Sequence, residues 1–246
     1  MMHWSTAAPR GVRIGGLVGL ALALGAWVLA AGPSASAQPA PAIGSTLIAT
    51  QEMMNLPTGG RWVVRNEHPT GDQHTHAGGF VYVMSGSSGL KMDGEELSLK
   101  EGQGIWVPEN TSHTHTGDGG TKLWMFTLEL ILDPRAAQPA FVSKELVGYA
   151  EGPHLARIVT DEYPVGATTA PHRHFGPEVV FVREGTYELN YAGTPQTYNP
   201  GNGYMVEPLT PHRLRNAGQA TSRLFGLSLV PLGRAPVEPL APDALR

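Results

Sequence analysis

His74-Thr75-His76 recurs 98 residues later as His172-Arg173-His174, and Gly86, Gly102 and His113 recur 99 residues later as Gly185, Gly201 and His212. The two glycine pairs keep the same spacing of 16 residues. Self-similarity at a fixed offset marks a duplicated structural unit. The change of offset places a one-residue loss in the first copy, between His76 and Gly86. The chain must therefore fold as two related units of about 90 to 100 residues each, not around one large core. A proline-flanked connector, residues 133–140, lies between the copies. The expected division is residues 38–135 for the N-terminal unit and 141–246 for the C-terminal one.

Units of that size suit a small β-barrel or sandwich, and the local pattern agrees. In the first copy, short β-branched or aromatic runs bounded by Gly, Pro or Asp cover residues 61–65, 80–84, 104–108 and 123–128. In the second they cover 156–159, 179–182, 187–191, 203–206 and 224–229. Glycine (31) and proline (21) are abundant while charged residues are only 15%, as expected for many turns between short strands. Only residues 136–149 leave room for a short helix. The predicted class is all-β.

A basic region with Arg10 and Arg13, an uncharged stretch from Ile14 to Ala31 and the small-residue site Ala35-Ser36-Ala37 follow the order of a secretory signal peptide. Cleavage is expected after Ala37, with export to the periplasm or the extracellular space; retention as a membrane anchor is the alternative, because 18 uncharged residues are just enough to span. Residues 38–246 carry 15 basic and 21 acidic side chains. That balance argues against nucleic acid and anionic membrane surfaces as partners and leaves a small-molecule substrate. Absence of cysteine excludes disulfides, thiolate metal sites and cysteine nucleophiles.

Histidines i and i+2 of a strand face the same side, so His172 and His174 present two imidazoles to one point. Glu178 follows four residues on, and His212 follows the turn-like Glu207-Pro208-Leu209-Thr210-Pro211. Three neutral imidazoles and one carboxylate hold a divalent first-row ion and leave coordination positions open for chemistry. The spacing Gly166-(x5)-His172-x-His174-(x3)-Glu178-(x6)-Gly185 resembles the first signature of the cupins at every specified position. Gly201, His212 and Asn216 match the second signature, while Glu207 and Leu209 stand where that signature has proline and glycine. The resemblance extends over both copies and implies a bicupin, two double-stranded β-helix (jelly-roll) barrels in tandem. It further implies that His172, His174, Glu178 and His212 bind Fe, Mn, Ni, Cu, Co or Zn, with Glu178 the candidate catalytic residue.

The first copy keeps His74, His76 and His113, a possible second metal set, and has Asn110 where the signature has glycine. Its carboxylate is missing: counting from the histidines gives Phe80, and counting from Gly86 gives Gly79. A three-histidine centre, replacement by Asp72 or His115, and a barrel kept for packing or dimerisation all remain open. Trp62, Trp106 and Trp124, and Tyr187, Tyr191 and Tyr204, read as packing residues before they read as cavity linings. Arg183, Arg213 and Arg215 are candidates for a substrate carboxylate, and the proline-rich 231–242 tail for an extended arm with dimer contacts. Bicupins of this appearance include flavonol (quercetinase) and other aromatic dioxygenases, so the leading expectation is a metal-dependent dioxygenase of a small aromatic or oxygenated substrate. Competing expectations are a non-catalytic sugar or small-molecule binder, a cupin decarboxylase, lyase or isomerase, and a superoxide-handling protein of the germin kind.

Overall fold

The computed structural model describes residues 41–56, 59–132, 136–191 and 193–245. The export signal read on residues 1–37 and residues 133–135 of the connector lie outside the described residues. Among the described residues no helix is long and apolar enough to cross a membrane.

Eighteen strands and no helix make up the regular structure of the described residues, and residues 136–149 carry only a two-residue strand. In chain order the first nine are β1 (Gly44–Met53), β2 (Arg61–Glu67), β3 (Gly79–Ser85), β4 (Ser87–Met92), β5 (Glu95–Lys100), β6 (Gly104–Val107), β7 (His113–Gly117), β8 (Lys122–Glu129) and β9 (Phe141–Val142). The remainder are β10 (His154–Tyr163), β11 (His172–Arg173), β12 (Glu178–Glu184), β13 (Tyr187–Tyr191), β14 (Thr194–Tyr198), β15 (Gly203–Val206), β16 (His212–Asn216), β17 (Ser222–Pro231) and β18 (Glu238–Pro239). Two sheets, ordered β6-β3-β8-β2-β9 and β5-β4-β7, enclose one barrel; β1-β10-β17-β12-β15 and β14-β13-β16-β11-β18 enclose the other. The chain is an all-β protein of two jelly-roll barrels.

Continuous apolar runs in this chain are strands buried on both faces, and alternate side chains serve two different cores. Val180 and Val182 of β12 fill the interior of the second barrel with Leu189, Tyr204 and Leu214. Val81 and Val83 of β3 do the same in the first barrel with Leu90, Leu123 and Met125. The opposite faces of these strands meet in a third cluster that joins the barrels: Trp62, Phe80, Tyr82 and Phe126 pack with Ile158, Phe181, Phe225 and Leu227. Tyr82 and Phe126 stand 4.9 and 4.8 Å, centroid to centroid, from Phe225. Trp106 and Trp124 border the same cluster.

The duplication is visible strand for strand. β3 and β12 are both paired on either side, and each carries a register irregularity at the same place, Val83/Ser85 and Val182/Glu184. Gly86 and Gly185 follow at φ of 78° and 77°, the left-handed turn that explains their recurrence. One feature crosses the expected division of the chain. β1 pairs antiparallel with β10 from Gly44↔Glu162 to Met53↔His154, and β9 pairs with β2. Each barrel thereby completes a sheet with a strand from the other half of the sequence, which covers an edge that would otherwise be open.

Candidate metal centres

His172 and His212 are directly opposed in the β11–β16 ladder, which brings their rings to 4.3 Å between centroids. His174 lies 5.1 Å from each of them. One ligand atom from each of the three histidines lies within 4.8 Å of the others. Every Nδ1 is committed to a backbone carbonyl: His172 to Ala170 at 2.9 Å, His174 to Pro236 at 2.7 Å and His212 to Thr210 at 3.0 Å. With Nδ1–H donating, each Nε2 keeps its lone pair free for a cation. Glu178, the first residue of β12, completes the group, its Oε2 3.0 Å from His174 Nε2 and 3.7 Å from His212 Nε2. All four residues predicted from the sequence are thus brought together.

The Nε2 atoms of His174 and His212 and Oε2 of Glu178 are buried without a well-aligned hydrogen-bond partner. Orphaned polar atoms in a protein interior cost about 1–3 kcal/mol each, and a cation is the partner that satisfies several at once. The residues present therefore fit a metal ion. Burial alone would raise the Glu178 carboxyl, but His174 and His212 beside it hold it well below the ordinary carboxylate value. Burial and the neighbouring His212 push His172 down to about 4, leaving it neutral and able to ligate. His174 is raised in spite of burial, because the Glu178 carboxylate faces it.

In the first barrel, His74, His76, His113 and His115 converge, with one ligand atom from each lying within 4.8 Å of the others. An isolated bridge, His74↔His113, repeats the His172↔His212 opposition, and their rings are 4.4 Å apart. Nδ1 of His74, His76 and His113 bonds to the carbonyls of Asp72, Ala77 and Thr111 at 3.0, 2.6 and 2.8 Å. Of the two candidates for the missing carboxylate, His115 joins the cluster, whereas Asp72 contributes only its backbone oxygen. The count that left Phe80 or Gly79 opposite Glu178 is resolved by pairing. Gly79 faces Val107 and Thr127 where Glu178 faces Val206 and Ser228. Burial, with some repulsion from neighbouring histidines, pushes His76 to about 4 and His115 to about 3. A cavity of about 690 Å³ opens beside this cluster, lined among others by His74, His76, Arg65, Met125 and Ile131.

Other sequence candidates are committed elsewhere. Arg215 pairs with Glu188 at 3.0 Å, Arg183 lies 3.1 Å from Glu184, and Arg213 is exposed. Tyr187 donates to the Ser222 carbonyl at 3.2 Å. Tyr204 is different: its hydroxyl is buried without a partner, two pairs along the β12–β15 ladder from Glu178. The tail, read as an extended arm, instead forms β18 on the metal-facing strand β11. Its Pro236 carbonyl is a functional group that residue-type reasoning missed, since a backbone acceptor leaves no mark in the sequence.

The cupin domain family matches residues 60–128 and 159–229. No curated protein matches the sequence. Among solved structures, AerE from Microcystis aeruginosa is similar at 15% identity, with 75% of this chain and 99% of that one covered and a TM-score of 0.53. A structure concerned with the Mn(II) centres of Bacillus subtilis oxalate decarboxylase matches at 13% identity over 80% of this chain and 77% of that one, TM-score 0.50. Salicylate 1,2-dioxygenase from Pseudoaminobacter salicylatoxidans matches at 16% identity over 70% of each chain, TM-score 0.46. Likeness to the first two, at such identities, shows a shared fold.

Proposed function

We propose, from the premise that the chain belongs to the cupin family with one cupin domain in each half, that it is an exported metal-dependent dioxygenase of small aromatic or oxygenated organic molecules. Its working centre is the ion held by His172, His174, Glu178 and His212 in the second barrel. The observation that carries this reading is the convergence of three Nε2 atoms and one carboxylate oxygen, with every Nδ1 locked by a carbonyl. A divalent first-row ion held by these four residues would supply Lewis acidity toward an electron-rich substrate and dioxygen.

The protein's own groups do the rest. Glu178 is a carboxylate at neutral pH and stands at the centre, so it accepts the proton of a phenol or enol as the substrate binds. Burial, with the nearby Glu178 charge, holds the Tyr204 hydroxyl well above its ordinary pKa. Tyr204 therefore stays protonated and offers a hydrogen bond to a substrate oxygen. Val180, Val182, Val206 and Leu214 pack in the interior of the same barrel and give it an apolar core. The order of basic region, apolar stretch and Ala-x-Ala supports export.

Oxygen uptake by the metal-loaded protein, followed across a panel of flavonols, simple phenols, enolic diketones and oxalate, tests the reading. Uptake with a phenolic or enolic compound is expected, falling by about 100-fold or more in Glu178→Ala, as loss of a proton acceptor entails. Carbon dioxide release from oxalate without oxygen consumption would replace the dioxygenase reading with a decarboxylase, and binding of unaltered ligand without turnover would replace it with a receptor module.

A further inference from the structure

We propose that the first barrel holds a metal ion of its own on four imidazoles, His74, His76, His113 and His115, and that this all-nitrogen centre selects a borderline ion such as Cu(II), Ni(II) or Zn(II) over Mn(II). The inference stands apart from the reading of the second barrel and concerns a different donor set.

Three observations carry it. The ligand atoms of all four rings already lie within 4.8 Å of one another, on β7 and the segment that bridges to it. Three of the rings are oriented for ligation by carbonyls that hold Nδ1, so Nε2 of each is directed inward as an acceptor. Finally, the Nε2 atoms of His74, His76, His113 and His115, and Nδ1 of His115, are buried without any hydrogen-bond partner. A packing role leaves five such atoms uncompensated in one place, at about 1–3 kcal/mol apiece. One cation satisfies four of them.

The donor set follows from the chain's own geometry. Gly79 stands at the ladder position that Glu178 fills in the second barrel, and a Cβ there would lie 2.5 Å from the Phe126 carbonyl oxygen. The fourth donor comes instead from β7, where His115 is two residues from His113 and on the same face. Four neutral imidazoles leave the ion its full charge of two, whereas the carboxylate of the other site cancels half of it. Nitrogen donors without carboxylate discriminate against Mn(II), which prefers oxygen, and follow the Irving–Williams order toward Cu(II).

The test uses the full chain purified without a histidine tag, stripped of metal and titrated with Cu(II), Zn(II) or Mn(II) against a chromophoric chelator. His174→Ala disables the second centre, so one remaining equivalent reports the first. Adding His115→Ala is expected to weaken Cu(II) binding by more than about 100-fold, beyond the 10- to 100-fold typical of outer-shell changes. Nitrogen hyperfine structure in the Cu(II) paramagnetic resonance spectrum of His174→Ala should count four imidazoles, which requires no change at position 115. Loss of all binding in His174→Ala, or equal affinity with and without His115, would overturn the proposal. So would a three-nitrogen spectrum, or Mn(II) holding its place against equimolar Zn(II). Thermal melting of the stripped proteins separates a lost ligand from a lost fold.

Discussion

No side chain fits at position 79, where a Cβ would meet Thr127 Cα at 2.7 Å as well as the Phe126 carbonyl. The backbone of β8 thus occupies the space that a carboxylate side chain at this position would need. Leu209 shows the converse. It adopts the left-handed conformation at φ 60°, as its counterpart Asn110 does at 58°, so the turn before the last histidine persists without the glycine of the family pattern. An L-residue bears about 1–2 kcal/mol for that conformation, and the backbone of Leu209 is held by a 2.7 Å bond to the His174 carbonyl. Asp161 bears a different cost. Half-buried on β10, it is pushed up to about 6 by burial, against a hydrogen bond from Ser45 of β1. Its folded form binds a proton more tightly than the unfolded form does, so this group favours folding most below about pH 4. That contribution is lost as pH rises to about 6, and the cost above that is at most about 3 kcal/mol. Asp161→Asn is expected to raise the melting temperature at pH 7 and to leave it unchanged near pH 3.5. Equal shifts at both pH values would show that the carboxyl is not the source.

Among the elements, β18 links stability of the tail to the chemistry of β11. Arg173 and Glu238 form an ion pair at 2.6 Å, Leu240 N donates to Pro171 O at 2.9 Å, and Arg234 lies 4.9 Å over the Phe175 ring. Residues 234–240 thus run along the segment that carries both His172 and His174, and Pro236 fixes the tautomer of the latter. Deleting residues 232–246 should weaken Zn(II) binding at the second centre by about 10- to 100-fold, the usual worth of an outer-shell partner, and leave the four-histidine cluster unaffected. Competition titration of the truncated chain measures both; a second centre of undiminished affinity would sink the idea. The same element shows where sequence reading stops. Strands with continuous apolar runs, such as Phe80 to Met84 and Val179 to Val182, are legible because burial on both faces demands them. β1, β5 and β14 are mostly exposed on both faces, and β11 and β18 are two residues long, so their existence depends on pairing partners that no local pattern encodes. The His-x-His pairs are legible for the opposite reason, since their spacing follows from strand period, whereas the distant His113 and His212 are legible from the repeat and the resemblance to the second cupin signature. What closes around them, a carbonyl from the tail and an imidazole in place of a carboxylate, depends on how the strands are ordered.

For the whole molecule, the duplication reads as two separable units, yet the two barrels are joined in a way that opposes separation. The cluster between them is aromatic and almost wholly buried, with Trp62, Phe80, Phe126, Phe181 and Phe225 all at 0% exposure. Each such side chain contributes about 1.5–3 kcal/mol by leaving water. A separated C-terminal half, residues 141–246, would expose this face and also lose β1, which covers the edge of β10 from His154 to Glu162. Its counterpart, residues 38–135, would lose β9 from the edge of β2. Both edges would then offer unpaired backbone to other chains. The separated halves are accordingly expected to aggregate or stay unfolded, while residues 39–246 unfold in one cooperative transition. Differential scanning calorimetry of that chain decides between one unit and two. A single peak with calorimetric and van't Hoff enthalpies in agreement is the expected result, whereas two resolved transitions, or a soluble folded half, would mean that the exchanged strands and the aromatic cluster do not couple the barrels.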